Sequence, residues 1–478
     1  MGINRRPGTP SLLRELNDRA ALELLLTEGP MTRAQLGEHT GLSKVTASQL
    51  LGRLEERGLV EVAGELAGGR GPNAALYAVV PSSAYVAGLH VELDEVSAGV
   101  ADVTGRVVSE VSVDPNGSDD PVQLVRGAVA TACGAAGISP EALRAFVIGT
   151  PGVLDPRTGD LRLVVNLPAW HEGVHEALSA DLGRPVTIEN DVNLAAMAER
   201  SVGAAIGVED FVLVWIGVGL GLATVLGGRL HRGVGGAAGE IGYLPVPGAK
   251  LPTDLDHPAT GAFQSLVGAQ AVLPLAAEYG FVASTAGAAV RAAVQDAVAA
   301  GGVGGGGVGG GDGLGVGGAA GGGRSAVAAP GGSGAPGGSG APGVPAVPGA
   351  PGVPASGMRI TTMTAGVPAA GAGPAGSGRG AEFLNELASR VATGVAAVSV
   401  VLDPGLVVLG GEVGLAGGEA LASRVAVEVG RICPARPRVV PTGVSGGPVL
   451  RGAILAAVDR ARAELLASVA SLLTPTGA

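Results

Sequence analysis

Val186-Thr187-Ile188-Glu189-Asn190-Asp191-Val192-Asn193 is the stretch on which the fold turns. Val186–Glu189 reads as a strand, Asn190 and Asp191 stand at its end, and a helix follows through Ala195–Val202. A strand that passes directly into a helix is the repeating unit of an α/β body. A carboxylate and an amide at such a strand end suit hydrogen bonding to sugar hydroxyls. An Asp there can also act as general base on an attacking hydroxyl. Outward from this point the same alternation continues. Strand-like runs occupy Val86–Val91, Ala98–Val103, Phe146–Ile148, Phe211–Ile216 and Leu406–Leu409. Helical periods cover Gln123–Ala136, Val174–Leu182 and a long C-terminal segment, Ala453–Ala467. Gly-rich turns follow the strands at Gly149-Thr150-Pro151-Gly152, Gly217-Val218-Gly219-Leu220-Gly221, Gly239-Glu240-Ile241-Gly242-Tyr243 and Gly410-Gly411-Glu412-Val413-Gly414. Such turns let backbone amides approach phosphates.

Composition bounds what this body is made of. The 478 residues include 85 Gly, 32 Pro and 2% aromatics, with a net charge of −11, so the core rests on Ala, Val and Leu. There is no Gly-X-Y period, which excludes collagen. Cys133 and Cys433 lie far apart, which excludes a disulfide scaffold and a CxxC site and fits a reducing compartment. No charged start followed by a long apolar stretch marks a secretory signal. Phe211–Gly228 is free of charge but carries Gly at 217, 219, 221, 227 and 228, and reads as two buried strands rather than a membrane span. A soluble cytoplasmic protein with no membrane partner is expected. Between residues 301 and 380 there are 32 Gly and 9 Pro with four charges. That segment has too little apolar surface to offset its chain entropy, and reads as a disordered insert.

The first 80 residues hold a separate helical unit. Leu13, Leu16, Ala20 and Leu24 mark one apolar stripe. Thr32-Arg33-Ala34-Gln35 forms a capping box that opens a short second helix. Ser43 caps a third helix running to about Arg57, with Ala47, Leu50, Leu51 and Leu54 as its inner stripe. Strands from Leu59 and Leu76 flank a Gly/Arg turn, Gly68-Gly69-Arg70-Gly71-Pro72, completing a winged helix-turn-helix. Opposite the inner stripe lie Val45, Ser48, Gln49 and Arg53, the face that a recognition helix presents to a major groove. Gln49 suits adenine, Val45 a thymine methyl, and Ser48 either donor or acceptor. Arg33, Lys44, Arg53 and Arg70, with Arg5 and Arg6, read as phosphate contacts. Nine basic and nine acidic residues balance in this unit, so the footprint is a local patch.

His171-Glu172-Gly173-Val174-His175 matches the H-E-x-x-H zinc motif. Pro168 and Trp170 place it at a helix start, Gly173 weakens the turn, and no third ligand stands at a fixed spacing. A solvated helix end is the preferred reading, and no metal or other cofactor is expected.

Taken in this order, the wing, the Asn190-Asp191 junction and the Gly-rich turns resemble the ROK family of repressors and sugar kinases, over about residues 11 to 467 apart from the insert. The resemblance implies an actin/hexokinase-like two-lobed α/β body with a sugar in the interlobe cleft. The family's sugar-contact pattern falls on Asn166, Asn190, Asp191 and Glu240, with Asp191 in the place of the kinase base. The departures are equally specific. Gly88-Leu89-His90-Val91-Glu92-Leu93-Asp94 stands where family kinases carry D-x-G-G-T, so Glu92 and Leu93 replace the glycines that cradle phosphate. Tyr243 replaces a family histidine, and the cysteine-rich zinc segment becomes Asp254–Gln264, with Gln264 in place of a sugar-binding Glu.

The expected organisation is a winged helix at 1–80, the α/β body at 81–300 and 381–478, and the insert at 301–380. The expected function is a DNA-binding transcriptional repressor, homo-oligomeric on its operator and controlled by a sugar effector, with phosphoryl transfer lost. The alternative is an ATP-dependent sugar kinase with an accessory helical domain.

Overall fold

In the computed structural model the described residues are 10–67, 73–92, 94–115, 120–155, 157–162, 173–249, 251, 261–302 and 378–470. Arg70, Asn166, His171, Glu172 and nearly all of the Gly-rich insert lie outside them.

The N-terminal module consists of α1 (Pro10–Thr27), β1 (Met31–Thr32), α2 (Arg33–Thr40), α3 (Lys44–Glu56), β2 (Val60–Leu66) and β3 (Ala74–Val79). Local chemistry sets these boundaries. Thr32 and Gln35 form a reciprocal capping box, with Thr32 N donating to Gln35 Oε1 at 2.9 Å and Gln35 N to Thr32 Oγ1 at 3.3 Å. Gly41 ends α2 at φ +69°, where a side chain would be strained. Ser43 Oγ accepts from Thr46 N at 3.2 Å and opens α3. Ala47, Leu50, Leu51 and Leu54 of α3 are all buried, each large side chain contributing about 1.5–3 kcal/mol. β1, β3 and β2 form a three-stranded antiparallel wing. Most of the α1 stripe of Leu13, Leu16, Ala20 and Leu24 turns away from this core: Leu13, Leu16 and Ala20 are exposed and Leu24 packs partly against it, while Leu22 and Leu25 face inward with Glu15 and Asp18. The wheel is amphipathic on both sides, so the stripe alone does not say which side finds a partner.

The first body sheet contains β4 (Tyr85–Val91), β5 (Val96–Asp102), β6 (Val107–Val113), β7 (Leu143–Thr150) and β10 (Val186–Asn190), in the order β10-β7-β4-β5-β6. The short pair β8 (Val153–Leu154) and β9 (Leu161–Arg162) follows β7. α4 (Pro121–Ala136) and α5 (Val174–Asp181) cover the outer face, where Ala87, Leu89 and Val91 point. Alternate residues such as Val86, Ala145 and Val147 point the other way, as the two-residue period of a strand requires. α6 (Asp191–Val202) then leads to the second sheet.

The second sheet holds β11 (Phe211–Ile216), β12 (Leu220–Leu226), β13 (Arg229–Leu230), β14 (Leu406–Gly410) and β15 (Arg438–Pro441), ordered β13-β12-β11-β14-β15. Each sheet is an antiparallel meander followed by two parallel strands beside its first member, so one topology occurs twice. The outer face of the second sheet carries α7 (Gln264–Val267), α8 (Ala269–Glu278), α9 (Ala286–Gly302), α10 (Arg379–Leu402) and α11 (Gly411–Ile432). α10 is the one described helix long and apolar enough to cross a membrane, yet its Phe383, Leu387, Val391 and Val395 face lies in this core. Phe211–Gly228 forms the antiparallel pair β11–β12, as its glycines suggest. Gly410–Gly411 is a direct strand-to-helix junction rather than an extended loop, with Gly411 at φ +73°. The last helix, α12 (Pro448–Ala470), returns to pack with α6 between the two sheets.

Candidate functional site

Parallel pairing of β4, β7 and β10 brings their C-terminal ends into one line. His90 is in register with Gly149, Gly149 with Glu189, and Thr150 with Asn190. Ligands of open α/β sheets collect at this edge. Asn190 caps α6, its Oδ1 accepting from Asn193 N at 3.1 Å, and its Nδ2 donates to Gly152 O at 3.1 Å. Its amide thus holds the 150–153 turn against the helix start. Asp191, the first residue of α6, accepts from Val192 N at 2.8 Å through Oδ1. Glu240 and Tyr243 come from the second lobe, on the segment that crosses β12. Leu222 N donates to Gly239 O at 2.8 Å, and Gly239 sits at φ +108° with no room for a Cβ beside Leu222 O. Gln264 closes the same wall: its Oε1 accepts from Leu220 N at 2.9 Å and its Nε2 donates to Val218 O at 2.8 Å. Gln264, read from sequence as an effector contact, clamps the β11–β12 turn, with both ends of its amide meeting backbone there.

The electrostatics at this edge are acidic. Burial raises the Asp191 carboxyl above its usual range, against the opposing pull of His90 and the Val192 amide. Burial likewise raises Glu240, and Asp191 adds to the effect. Burial holds the His90 imidazole below its usual range despite Asp191 and Glu95, and His90 Nδ1 lies 3.7 Å from Glu92 Oε2. A carboxyl with a raised folded-state pKa stabilises fully below its unfolded value, about 4.3 for Glu, and that contribution is lost as pH rises through the folded value. Glu240→Gln is therefore expected to raise the Tm at neutral pH, with the gain shrinking to nothing near about pH 4. Thermal melts across that range check this; a neutral-pH Tm no higher than wild type contradicts it.

The second surface is the outer face of α3. Lys44, Val45, Ser48 and Gln49 are exposed, Val45 at 67%. Arg33 of α2 donates from Nη1 to Ser48 Oγ at 3.1 Å, which joins two of the residues read as DNA contacts. Arg53 departs from that reading. Its Nε donates to Asp18 Oδ2 at 3.0 Å and its Nη2 pairs with Asp18 Oδ1. The buried carboxylate of α1 neutralises this guanidinium, so Arg53 ties α3 to α1 instead of standing free for a phosphate. His175 of the H-E-x-x-H pentad bonds through Nε2 to Val186 O at 2.9 Å.

Residues 86–262 match the model of the ROK family, and residues 16–71 match that of the MarR family. The chain carries a ROK family domain behind a MarR-type winged helix. Among curated ROK relatives is the xylose repressor of Caldicellulosiruptor bescii, 25% identical over 50% of this chain and 61% of its own. Another is the N-acetylglucosamine repressor of Escherichia coli O6:H1, 24% identical over 50% of this chain and 59% of its own. The matched region therefore spans about three fifths of the length of these ROK relatives. A solved ROK family transcriptional regulator, a homologue of the E. coli MLC protein, aligns over 96% of this chain and 99% of its own. Its TM-score of 0.61 at 15% identity speaks for a shared fold.

Two features of this α/β body escape the sequence. Glu189, one residue before the cap, accepts from Arg232 Nε at 2.7 Å and from Asn193 Nδ2 at 2.9 Å, so an ion pair reaches across to the second lobe beside the cleft. Glu199, at the other end of α6, is 1% exposed and meets the 442–444 loop. No spacing signal connects residues so far apart in the chain.

Proposed function

We propose that the chain is a sequence-specific transcriptional repressor whose hold on duplex DNA is set by a sugar bound between the lobes, and that it does not transfer phosphoryl groups. The observation that carries this reading is the outward face of α3. Val45, Ser48 and Gln49 are exposed together by a fully buried opposite stripe, in the arrangement a major groove accepts. Asp191, Glu240 and Tyr243 are the residues assigned to the sugar, with Asn166 added from the sequence pattern. Asn190 and Gln264 are assigned to holding the turns around it. On the DNA side Arg33 and Lys44 are assigned to phosphate, with Arg70 added from the wing sequence. ROK relatives named for xylose and N-acetylglucosamine support a sugar as the class of effector. Two copies on half-sites about 34–36 Å apart, or multiples of that, would match a palindromic operator.

Footprinting of the full chain on genomic DNA tests the reading; no protected site at low salt refutes it. The kinase alternative keeps one favourable observation, Asp191 at the start of α6. The β4–β5 turn opposes it, since Glu92 follows β4 where a phosphate cradle needs glycine. A coupled ADP-release assay over a hexose panel is expected to show no turnover, and turnover abolished by Asp191→Asn would overturn the repressor reading.

A further inference from the structure

α12 has 23 residues, about 34 Å of continuous helix, and touches the cleft-forming elements at one end and the winged helix at the other. Its first turns lie on β4, β7 and α6, with no side chain between backbones at two places, Gly88 and Gly452. A Cβ on Gly88 of β4 would overlap the Ile454 backbone, whereas one on Gly149 of β7 would meet the side chains of Leu194 and Val449. A Cβ on Gly452 of α12 would overlap the Leu194 carbonyl of α6. Leu194 is three residues beyond Asp191, one turn into the same helix. Close-packed backbone contacts transmit displacement because there is no compressible layer to absorb it. Halfway along, Arg462 donates from Nε to Val103 O at 2.9 Å and from Nη2 to Thr104 O at 2.8 Å, which fixes the helix about its axis. In the last turns, Leu466 and Val469 share one core with Leu22 and Leu25 of α1. Arg57, which follows α3, donates from Nη2 to Ser468 O at 3.3 Å.

We propose that α12 is the rod that couples the cleft to the recognition helix, with Gly452 as its grip on α6 and Leu466 as its grip on the winged helix. This rests on the repressor reading above. A ligand that draws Glu240 of the second lobe toward Asp191 moves the start of α6. α12 follows through Gly452, and α1 and α3 turn with its far end. Linkage requires the converse, so DNA on α3 must alter α6.

The test uses the full chain, a duplex it selects from a random pool, and D-xylose or N-acetyl-D-glucosamine as the sugar probe. In wild type the sugar is expected to change duplex affinity at least about fivefold. In Gly452→Ala and in Leu466→Ala the sugar should still shift the Tm, while its effect on duplex affinity falls to within about twofold. Leu466→Ala leaves the α6 contact untouched and keeps the test open where Gly452→Ala unfolds. Hydrogen exchange adds an independent readout: duplex binding should slow exchange in the first turns of α6 in wild type and not in the variants. Folded variants that keep the wild-type sugar effect overturn the proposal, as does a wild type whose α6 exchange ignores the duplex. A wild type that selects no duplex, or whose duplex affinity neither sugar changes, counts against the repressor reading instead. The rod is then decided by Gly452→Ala alone. Faster exchange in α1 than in β14 supports it, and equal exchange refutes it.

Discussion

Glu199→Ala is expected to lower the unfolding free energy by about 3–5 kcal/mol, since it strips several buried donors of their shared acceptor. Glu199 Oε2 accepts from Ala204 N at 2.7 Å and from Gly443 N at 3.1 Å, while Oε1 accepts from Val444 N at 3.4 Å and from the Thr442 hydroxyl. The side chain thus closes the end of α6 and binds the loop between β15 and α12. Alanine leaves those amides without acceptors, at about 1–3 kcal/mol for each that stays buried. Glu199→Gln keeps one oxygen and should lose less. Urea unfolding with an unchanged m-value measures both. A loss under about 1 kcal/mol for Glu199→Ala would show that water enters and satisfies the loop.

The second large effect concerns DNA. Under the repressor reading, Gln49→Ala should cost about 1–3 kcal/mol of discrimination at one base position, roughly a fivefold to 150-fold loss. Binding to duplexes already altered at that position should hardly change. Arg33→Ala should act differently, weakening all duplexes alike and lowering the slope of log affinity against log salt by about one. Titrations against a set of single-base variants at several salt concentrations separate the two. If Gln49→Ala weakens every duplex equally, α3 does not read bases through that residue. Arg53→Ala is the contrasting case: its first consequence is an unpaired Asp18 in the module's core, so it should lower stability before it touches DNA affinity.

How much of this was legible in advance follows from how far apart the cooperating residues lie. The caps at Thr32 and Ser43 act within three residues, and each was readable from its own tetrapeptide. Strand positions in the body were likewise legible, because buried strands carry their apolar residues in short local runs. The helices α8 to α11 were not. Their Ala and Gly content gives weak contrast between faces, and the Gly-rich insert separates α9 from α10 along the chain. Within the candidate site, residue type alone does not say which partners a polar side chain takes. Asn190 and Gln264 carry polar groups that suit a sugar equally well, and only the positions of Gly152, Val218 and Leu220 reveal that backbone takes them up.

The sequence by itself determined the main strands of the body, the outward placement of Ser48 and Gln49 beside Val45 on α3, and the presence of Glu92 and Leu93 after His90 and Val91. Each of these depends on neighbours a few positions away, where covalent geometry limits the alternatives. Tertiary structure alone decided which side of α1 is buried, that Arg53 belongs to Asp18, and that α12 lies against α6 at Gly452 and against α1 at Leu466. Those outcomes are set by which surfaces meet once the chain has closed long loops, and close packing selects among pairings that local pattern leaves equivalent.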